Sequence, residues 1–236
     1  MTTYVLRHGQ TNYSKRYLVN GDPSQPVHLT EEGRQSLGLG WSTLPLHTVR
    51  TWLTSEFPRA QQTASLLMGV PAAELVIDPR LNELDYGKFE GRPFLEYAVW
   101  LDGQGSNERP AGGTESQRDG IRWMLTGLLA ILERPGPRVL VGHGLLVSVL
   151  LWHQSRSPKE AMPLFFPEAP YVEPIAISDD ELPDWGTALL RDLDRDVPGG
   201  RAERGGADIF RIGEGSAVAT VDSVSHRPDQ KDLPHA

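Results

Sequence analysis

Four short stretches of the sequence carry side chains that could bind a small anion and transfer a group from it. They contain Arg7 with His8, Arg59, Glu83 and His143. Two guanidinium groups match the charge of a phosphate dianion and offer forked hydrogen-bond donors. A neutral imidazole can attack phosphorus and a carboxylic acid can protonate the leaving oxygen, while positioning and charge stabilisation do most of the rest. These residue types fit a phosphomonoester as the substrate.

The elements that must position these side chains are strands, because each stretch follows a short apolar run. We predict strands over residues 3–6, 49–54, 75–77 and 138–141. Helical patterns separate these runs, which is typical of βαβ units and a mostly parallel sheet. Ligands of such sheets bind outside the carboxyl ends of the strands. We therefore expect the four stretches to meet at one edge of the sheet.

Helices are predicted from their caps and from apolar spacing. Thr30, followed by two glutamates, predicts a helix to about residue 43, and Pro58 opens another helix. Thr114 and Gln117 form a T-x-x-Q capping box that predicts a helix over about 115–133. Further helices are predicted over 94–101, 145–152 and 180–193, and a last edge strand over 171–177, where Pro174 interrupts the run.

This order of elements predicts an α/β fold. We expect a three-layer sandwich in which a mostly parallel central sheet has helices on both faces. Residues of about 85–134 form a short insertion over the C-terminal strand ends, with Trp123 in its core. One domain is expected over residues 1–196. Residues 197–236 are expected to form a C-terminal extension, loop-like or partly disordered, in which 209–224 has the alternation of a hairpin.

Arg59 is unusual in its place, because it falls in the first turn of the helix that Pro58 opens. The helix dipole is positive there, so a cation is unfavourable. An arginine at this position is explained if an anion is bound beside it.

Composition and charge exclude several classes of function. The chain has 236 residues, a formal net charge of −8 and no cysteine. The acidic balance argues against a nucleic-acid partner, and the lack of cysteine excludes disulfides, thiolate metal sites and cysteine catalysis. No apolar run approaches the ~18 residues of a membrane span, and Arg7 and His8 fall where a signal peptide needs apolar residues. We expect a cytoplasmic protein without a membrane partner.

The acidic charge is concentrated near the C-terminal end of the predicted domain. Residues 179–196 contain seven acidic and two basic side chains. We interpret this segment as the solvated face of a helix.

Five sequence blocks in a fixed order resemble the histidine phosphatase superfamily, in its phosphoglycerate mutase-like branch. The blocks are Arg7-His8-Gly9, His28-Leu29-Thr30-Glu31-Glu32-Gly33, Pro58-Arg59-Ala60-Gln61-Gln62-Thr63-Ala64, Leu81-Asn82-Glu83-Leu84-Asp85-Tyr86-Gly87 and Gly142-His143-Gly144. The resemblance covers residues of roughly 3–195. It implies that His8 is the nucleophile that becomes phosphohistidine and that Glu83 is the proton donor. It also implies that Arg7, Arg59 and His143 bind the phosphoryl group beside Gly144, without a metal or an organic cofactor.

One position departs from the family pattern, and two acids compete for one role. The family often has asparagine six residues after the nucleophile, where this chain has Ser14. Either the Ser14 hydroxyl replaces that amide as a substrate ligand, or Asn12 or Asn20 supplies it. Asp85 and Glu90 lie close to Glu83 in the sequence and could take over its role as the acid.

A metal site is also conceivable, since His8, His143 and Glu83 would form a His₂Glu ligand set. Arg7 and Arg59 beside a cation argue against it, so we expect no metal.

Three functions remain open at this point. A phosphatase would hydrolyse phospho-His8, a mutase would return the phosphoryl group to another hydroxyl of its substrate, and a binding module would hold phosphate without turnover. The short loop at 110–116 and the eight acids of residues 85–133 favour the phosphatase, because mutases of this family resemble one another in a longer, more basic insertion. The expected partner is a small phosphorylated metabolite. Since His8 must be neutral and Glu83 protonated, we expect a mildly acidic to neutral pH optimum.

Overall fold

The computed structural model describes residues 1–37, 46–69, 74–157 and 159–195. These residues form a five-stranded sheet in the order β3-β2-β4-β1-β5. The strands are β1 (Thr2–Arg7), β2 (Thr51–Thr54), β3 (Glu74–Ile77), β4 (Arg138–Gly142) and β5 (Ile175–Ser178). The first four pair in parallel, whereas β5 pairs antiparallel with β1 at the sheet edge. The four strands predicted ahead of the reactive stretches are confirmed.

Helices cover both faces of this sheet, which confirms the predicted α/β sandwich. They are α1 (Asn12–Lys15), α2 (Glu31–Ser36), α3 (Pro58–Met68), α4 (Phe94–Gln104), α5 (Gln117–Ala130), α6 (Gly144–Ser155) and α7 (Leu182–Asp194). On one face, Trp52 and Val139 pack in a core with Ala60 and Ala64 of α3. On the other face, apolar residues of β1, β2 and β4 pack in a larger core with α5, α6 and α7. Every strand residue of β4 is buried, as a central strand with two covered faces requires.

The last strand is shorter than predicted, because it begins after Pro174. Proline cannot donate to a strand ladder, so pairing with β1 starts at Ile175. The residues before Pro174 pair with a different part of β1. Tyr171 lies beside Arg7 in an isolated bridge, and the Val172 amide donates to the Arg7 carbonyl at 3.0 Å. This segment therefore pairs with the C-terminal end of β1.

The capping box of α5 is displaced from its predicted position. Ser116 is the N-cap, and it exchanges hydrogen bonds with Asp119, so the predicted pair of Thr114 and Gln117 is wrong. The amide and hydroxyl of Thr114 both donate to Asp85, each at 2.8 Å. Trp123 was also predicted incorrectly, because its side chain is 53% exposed on the outer face of α5.

The acidic C-terminal segment is not simply a solvated face. Asp192 is buried and forms an ion pair with Arg156, while Asp179 pairs with the buried Arg138 at 2.8 Å. Arg118 donates to main-chain carbonyls at the end of α7, including that of Leu193. We call Arg118, Arg156 and Asp192 the C-terminal arginine cluster. Arg118 of this cluster donates to otherwise unpaired carbonyls at the end of α7, and the cluster joins α7 to α5 and α6.

Several predictions fall outside the described residues. They are the second half of the helix that was predicted to reach residue 43, the extension 197–236 and the hairpin over 209–224. The described part of that helix, Glu31–Ser36, begins as expected, with the Thr30 side chain accepting from the Gly33 amide. Among the described residues, no helix is long and apolar enough to cross a membrane.

Candidate active site

The nucleophile candidate His8 directly follows β1, and three hydrogen bonds fix the backbone around it. The His8 amide donates to the Gly142 carbonyl of β4 at 3.1 Å. The Gly9 amide donates to the Thr63 hydroxyl at 3.0 Å, and that hydroxyl donates to the Arg59 carbonyl at 2.8 Å. The loop after β1 is thus tied to the neighbouring strand and to the first turns of α3. The Thr63 hydroxyl therefore fixes the position of the stretch that carries His8 relative to the stretch that carries Arg59.

The hydrogen bonds of His8 specify one tautomer. Its Nδ1 lies 2.7 Å from the Gly9 carbonyl oxygen, which can only accept, so Nδ1 carries the proton. Its Nε2 accepts from Arg59 Nε at 2.9 Å and is therefore the unprotonated nitrogen with a lone pair. Burial, and then the positive charges of Arg59 and Arg7, hold the pKa of His8 well below its usual range. The ring is neutral at physiological pH and has its lone pair in the site.

Arg59 lies at the centre of the arrangement. Besides His8, it donates to the side-chain oxygen of Asn20, to the main-chain oxygen of Asn20 at 3.0 Å and to His143 Nδ1 at 3.3 Å. Its guanidinium also lies over the Phe57 ring, 4.3 Å from the centroid. Burial is the largest cause of a lowered pKa of about 10, so the group still carries its charge at neutral pH. A buried cation with neutral acceptors has positive charge available for an anion.

Asn20 is itself held in place by Glu90. The Asn20 amide nitrogen donates to one Glu90 oxygen at 2.7 Å, and the Gly21 amide donates to the other at 2.7 Å. This orients the amide with its oxygen toward Arg59. A Cβ atom on Gly21 would overlap the Leu84 carbonyl oxygen, so this loop lies directly against the loop that carries Glu83.

His143 is completely buried and forms the N-cap of α6. Its Nε2 lies 2.7 Å from the Ser55 hydroxyl oxygen, and its ring meets the His8 ring edge-on, with centroids 5.3 Å apart. Because Arg59 donates to Nδ1, the neutral ring carries its proton on Nε2 and donates to Ser55. Burial, followed by the charge of Arg59, lowers the pKa of His143 well below its usual range.

Arg7 is the second cation of the site. It is buried, its guanidinium donates to the Ala169 carbonyl at 2.8 Å, and it lies 4.2 Å from the centroid of the Tyr171 ring. The segment before β5 therefore holds the Arg7 side chain through a carbonyl and an aromatic face.

Glu83 is the acid that the site places beside the cations. Its side chain accepts from the Leu84 amide at 2.9 Å and is 8% exposed. Burial raises the pKa of Glu83, and hydrogen bonding from Leu84 and the charges of Arg59 and Arg7 only partly oppose this. The two competing acids are engaged elsewhere: Asp85 accepts from Thr114, and Glu90 holds Asn20.

Most of the predicted site residues line one cavity together. They are Arg7, His8, Ser14, Arg59, Glu83 and Gly144. His143 joins them through its contacts with His8 and Arg59. The stretches that were predicted to meet at the C-terminal strand ends do meet there.

The Ser14 hydroxyl is occupied by a local task. It accepts from the Thr11 amide at 2.9 Å, and the Ser14 amide donates to the Thr11 hydroxyl at 3.0 Å, which is a capping box for α1. The amide that contacts Arg59 is that of Asn20, whereas Asn12 is exposed on α1. A role for Ser14 toward substrate stays a prediction.

The site contains further residues that the sequence reasoning did not assign. The additional lining residues are Thr11, Tyr13, Leu18, Val27 and Tyr86, beside Asn20, which the sequence offered only as one candidate amide. Three more residues do not line the cavity but hydrogen-bond to the site residues, as described above: Ser55, Thr63 and Glu90. Thr63 lies in the same block as Arg59, four residues on, so a helical spacing argument could have found it. Glu90 carried no comparable signal, because its partner lies 70 residues away.

Two other candidate sites are less suited to this chemistry. A larger cavity of about 470 Å³ is lined by Gln10, Glu32, Ser36 and residues 171–174, without a histidine or a cation. No cluster of three or more potential metal-ligating side chains occurs among the described residues. His8, Glu83 and His143 are not grouped as such a cluster in the part of the chain that the structure describes.

Comparison with protein families shows which family the chain matches. A family model described as histidine phosphatase superfamily (branch 1) matches residues 3–174. The chain belongs to the histidine phosphatase superfamily. Members of this superfamily are phosphatases and mutases, and the matched range includes all of the site residues described above.

Individual relatives include both kinds of enzyme. A protein of Yersinia pestis named probable phosphoglycerate mutase GpmB is 30% identical over 161 residues, which is 64% of this chain and 73% of that protein. The α-ribazole phosphatase of Shigella flexneri has a similar structure, with a TM-score of 0.57, 21% identity, and coverage of 75% of this chain and 90% of that one. A mycobacterial glucosyl-3-phosphoglycerate phosphatase, solved with VO₃, has a TM-score of 0.53 and 24% identity and covers 64% of this chain and 78% of that one. At these identities the two structures support the fold of this superfamily.

Proposed function

We propose that this chain is a phosphatase that hydrolyses small-molecule phosphomonoesters through a phosphohistidine on His8, without a metal. The observation that carries the proposal is the state of His8: Nδ1 donates to the Gly9 carbonyl, and the unprotonated Nε2 accepts a hydrogen bond from the cation Arg59 inside the cavity lining. A nucleophile with this tautomer needs no base to activate it.

In the first step, His8 Nε2 attacks phosphorus and the ester P–O bond breaks. Arg7 and Arg59 hold the non-bridging oxygens and offset their charge, as two guanidiniums do for a dianion. Glu83 gives its proton to the leaving oxygen, so the alcohol departs neutral. The directions of the two pKa shifts support these roles, because the raised pKa of Glu83 favours the protonated carboxyl and the lowered pKa of His8 favours the neutral ring.

In the second step, the Glu83 carboxylate takes a proton from water as the water oxygen attacks phospho-His8. The N–P bond breaks, His8 returns to its neutral form, and inorganic phosphate leaves. Atoms and charges balance, with Glu83 protonated again at the end.

A phosphoglycerate mutase-type transfer is the second candidate, and the name of the Yersinia relative favours it. A mutase would use the same His8 chemistry but return the phosphoryl group to a hydroxyl of its substrate. A third, weaker candidate is a module that binds phosphate without turnover.

The test is a phosphate-release panel of phosphosugars, phosphoglycerates and nucleoside monophosphates, run beside a 3- to 2-phosphoglycerate isomerisation assay. We expect phosphate release without isomerisation, and a loss of about 10³-fold or more in His8→Ala. His47→Ala is the matched control, since His47 is exposed and lies outside the cavity lining. Isomerisation without phosphate release would favour the mutase, and phosphate binding without any turnover would favour the binding module.

A further inference from the structure

Both ring nitrogens of His143 are already engaged in this structure. Nδ1 lies 3.3 Å from an Arg59 nitrogen, and Nε2 lies 2.7 Å from the Ser55 hydroxyl oxygen. A guanidinium nitrogen can only donate, so Nδ1 accepts and Nε2 carries the proton of the neutral ring. In this tautomer His143 has no hydrogen to offer to a phosphoryl oxygen that binds beside Arg59.

The Ser55 hydroxyl is only partly satisfied by the same tautomer. Its oxygen accepts from His143 Nε2 and, at 3.3 Å, from the Phe57 amide. Among the described residues, the only group placed to accept the hydroxyl hydrogen is Nε2, which here carries a proton of its own. Ser55 is completely buried, and a buried donor without an acceptor is costly. The hydrogen bond between Arg59 and Nδ1 therefore leaves Ser55 with an unused donor.

The opposite tautomer reverses which group is satisfied. With the proton on Nδ1, the Ser55 hydroxyl donates to Nε2 and still accepts from the Phe57 amide. The Nδ1 hydrogen then points at the Arg59 guanidinium, so that two donors face each other. An anionic oxygen that accepts from both Arg59 and Nδ1 removes this conflict. The arrangement thus favours one tautomer without an anion and the other tautomer with it.

Two further observations limit the change to the position of the proton. Burial, followed by the charge of Arg59, lowers the pKa of His143 well below its usual range, which opposes a doubly protonated ring. The ring is also packed edge-on against the Phe57 ring, with centroids 4.7 Å apart, and against the His8 ring. The imidazole therefore stays neutral and keeps its orientation while its hydrogen-bonding roles exchange.

We propose that Ser55 is a positioning residue that allows His143 to become a hydrogen-bond donor to the phosphoryl group. When a phosphoryl oxygen accepts from Arg59, the proton of His143 is on Nδ1 and the Ser55 hydroxyl turns to donate to Nε2. Nδ1 takes a proton from water and Nε2 returns one to water, so the protons balance and the ring remains neutral. This inference rests on the proposed function, because it assumes that the phosphoryl group binds beside Arg59.

The direct test is ¹⁵N NMR of the protein labelled in its histidine rings, which shows which ring nitrogen carries the proton. Spectra are recorded at neutral pH without ligand and with saturating inorganic phosphate, and His143→Asn identifies the His143 signals by their loss. We expect the proton on Nε2 without phosphate and on Nδ1 with it. The inference is overturned by an unchanged tautomer, by Nδ1 protonation before phosphate is added, or by protonation of both nitrogens in its presence.

Ser55→Ala removes the donor to Nε2 and leaves the ring packing of His143 in place. We expect phosphate no longer to move the proton to Nδ1, and kcat/KM to fall about 10-fold to 100-fold, because a buried acceptor loses its partner. The inhibition constant of inorganic phosphate should rise in parallel. Ser148→Ala is the matched control, since Ser148 is also buried and its hydroxyl has no hydrogen-bond partner among the described residues.

We expect Ser148→Ala to keep kcat/KM within twofold of wild type and to show the same change of tautomer. A Ser55→Ala variant that still moves its proton to Nδ1 would contradict the role of Ser55, whatever its activity. The phosphate-release panel judges the proposed function separately. A chain that hydrolyses no member of the panel but changes tautomer with phosphate fails as a phosphatase while the role of Ser55 in anion binding stands.

Discussion

Two of the regions in which the molecule buries arginine treat the charge in opposite ways. In the C-terminal arginine cluster, Arg156 meets the buried carboxylate of Asp192, and Arg118 meets the carbonyls that end α7. In the site, Arg59 meets two histidines, an asparagine and a phenylalanine ring. The first region meets its charge with a carboxylate and main-chain carbonyls, whereas the hydrogen-bond partners described for Arg59 are neutral, which supports the proposed binding of an anion.

Burial of arginine therefore has a different effect in the C-terminal arginine cluster than in the candidate active site. A buried ion pair joins elements and is costly to break by removing one partner. A buried cation with neutral acceptors lowers neighbouring histidine pKa values and attracts an anion, at some cost to the free protein. The contrast implies that changes in the site affect turnover and that changes in the cluster affect folding.

The largest expected effect comes from Arg59→Lys. An ammonium cannot replace the fork that reaches His8, Asn20 and His143 at once, so we expect kcat/KM to fall about 10³-fold. Arg156→Lys, the same change in the cluster, should leave kcat/KM within threefold of wild type. Steady-state phosphate release measures both. Comparable losses in the two variants would remove the distinction between the regions.

Glu83→Gln should lower kcat/KM by about 10²-fold to 10³-fold, because the leaving oxygen loses its proton donor. The pH dependence of kcat/KM shows in which direction the protonation of Glu83 acts. Burial raises the pKa of Glu83 and lowers that of His8, so both shifts favour the reactive forms, a protonated carboxyl and a neutral ring. Wild-type kcat/KM should fall as pH rises through the Glu83 pKa, and Glu83→Gln should lose this limb. Asp85→Asn should keep the limb, and its disappearance there would transfer the role of the acid to Asp85.

Asp192→Ala tests the role of the C-terminal arginine cluster in folding. Arg156 would keep a buried charge without its carboxylate, so the free energy of unfolding should fall by about 3 kcal/mol. Urea denaturation measures the loss, and kcat/KM of the folded fraction should stay near the wild-type value. Replacing both partners, as Arg156→Met with Asp192→Leu, should recover at least half of the loss. A double variant as unstable as the single one would contradict this account of the cluster.

The smallest effect is expected from Glu90→Gln, which acts on Arg59 through Asn20. Glutamine offers one acceptor oxygen where glutamate accepts from both the Asn20 and Gly21 nitrogens, so the amide loses its fixed orientation. We expect kcat/KM to fall about tenfold. The inhibition constant of inorganic phosphate should rise in parallel, while the pH limb of Glu83 stays in place. An unchanged phosphate inhibition constant would place Glu90 outside the positioning of Arg59.

Local signals in the sequence predicted the frame of this molecule well. The apolar runs located β1 to β4, since a strand buried on two faces must be continuously apolar. Strand ends then located His8, Arg59, Glu83 and His143, because ligands of parallel sheets lie there. Thr30 was recognised as a cap because its partner, Gly33, is only three residues away.

Long-range contacts account for what was missed. Thr114 resembled a cap, but Asp85, 29 residues earlier, takes both of its donors. Asn20 was one of several candidate amides, and only the packing of its loop brings it to Arg59. Asp192 belonged to an acidic run, and its burial depends on where α6 places Arg156. Trp123 is apolar in type, but the orientation of α5 leaves it on the outer face.

The contact between Gly21 and the Leu84 carbonyl has a consequence for how this enzyme can diversify. No side chain larger than hydrogen fits at position 21 while the loops of Asn20 and Glu83 stay in contact. Leu18 and Val27 also line the cavity, and the Leu18 side chain is half-buried. We expect substitutions of Leu18 to change which alcohol is accepted without moving the loops of Asn20 and Glu83. We therefore expect a side chain at position 21 to separate the loop of Asn20 from the loop of Glu83 and to lower turnover of every substrate alike.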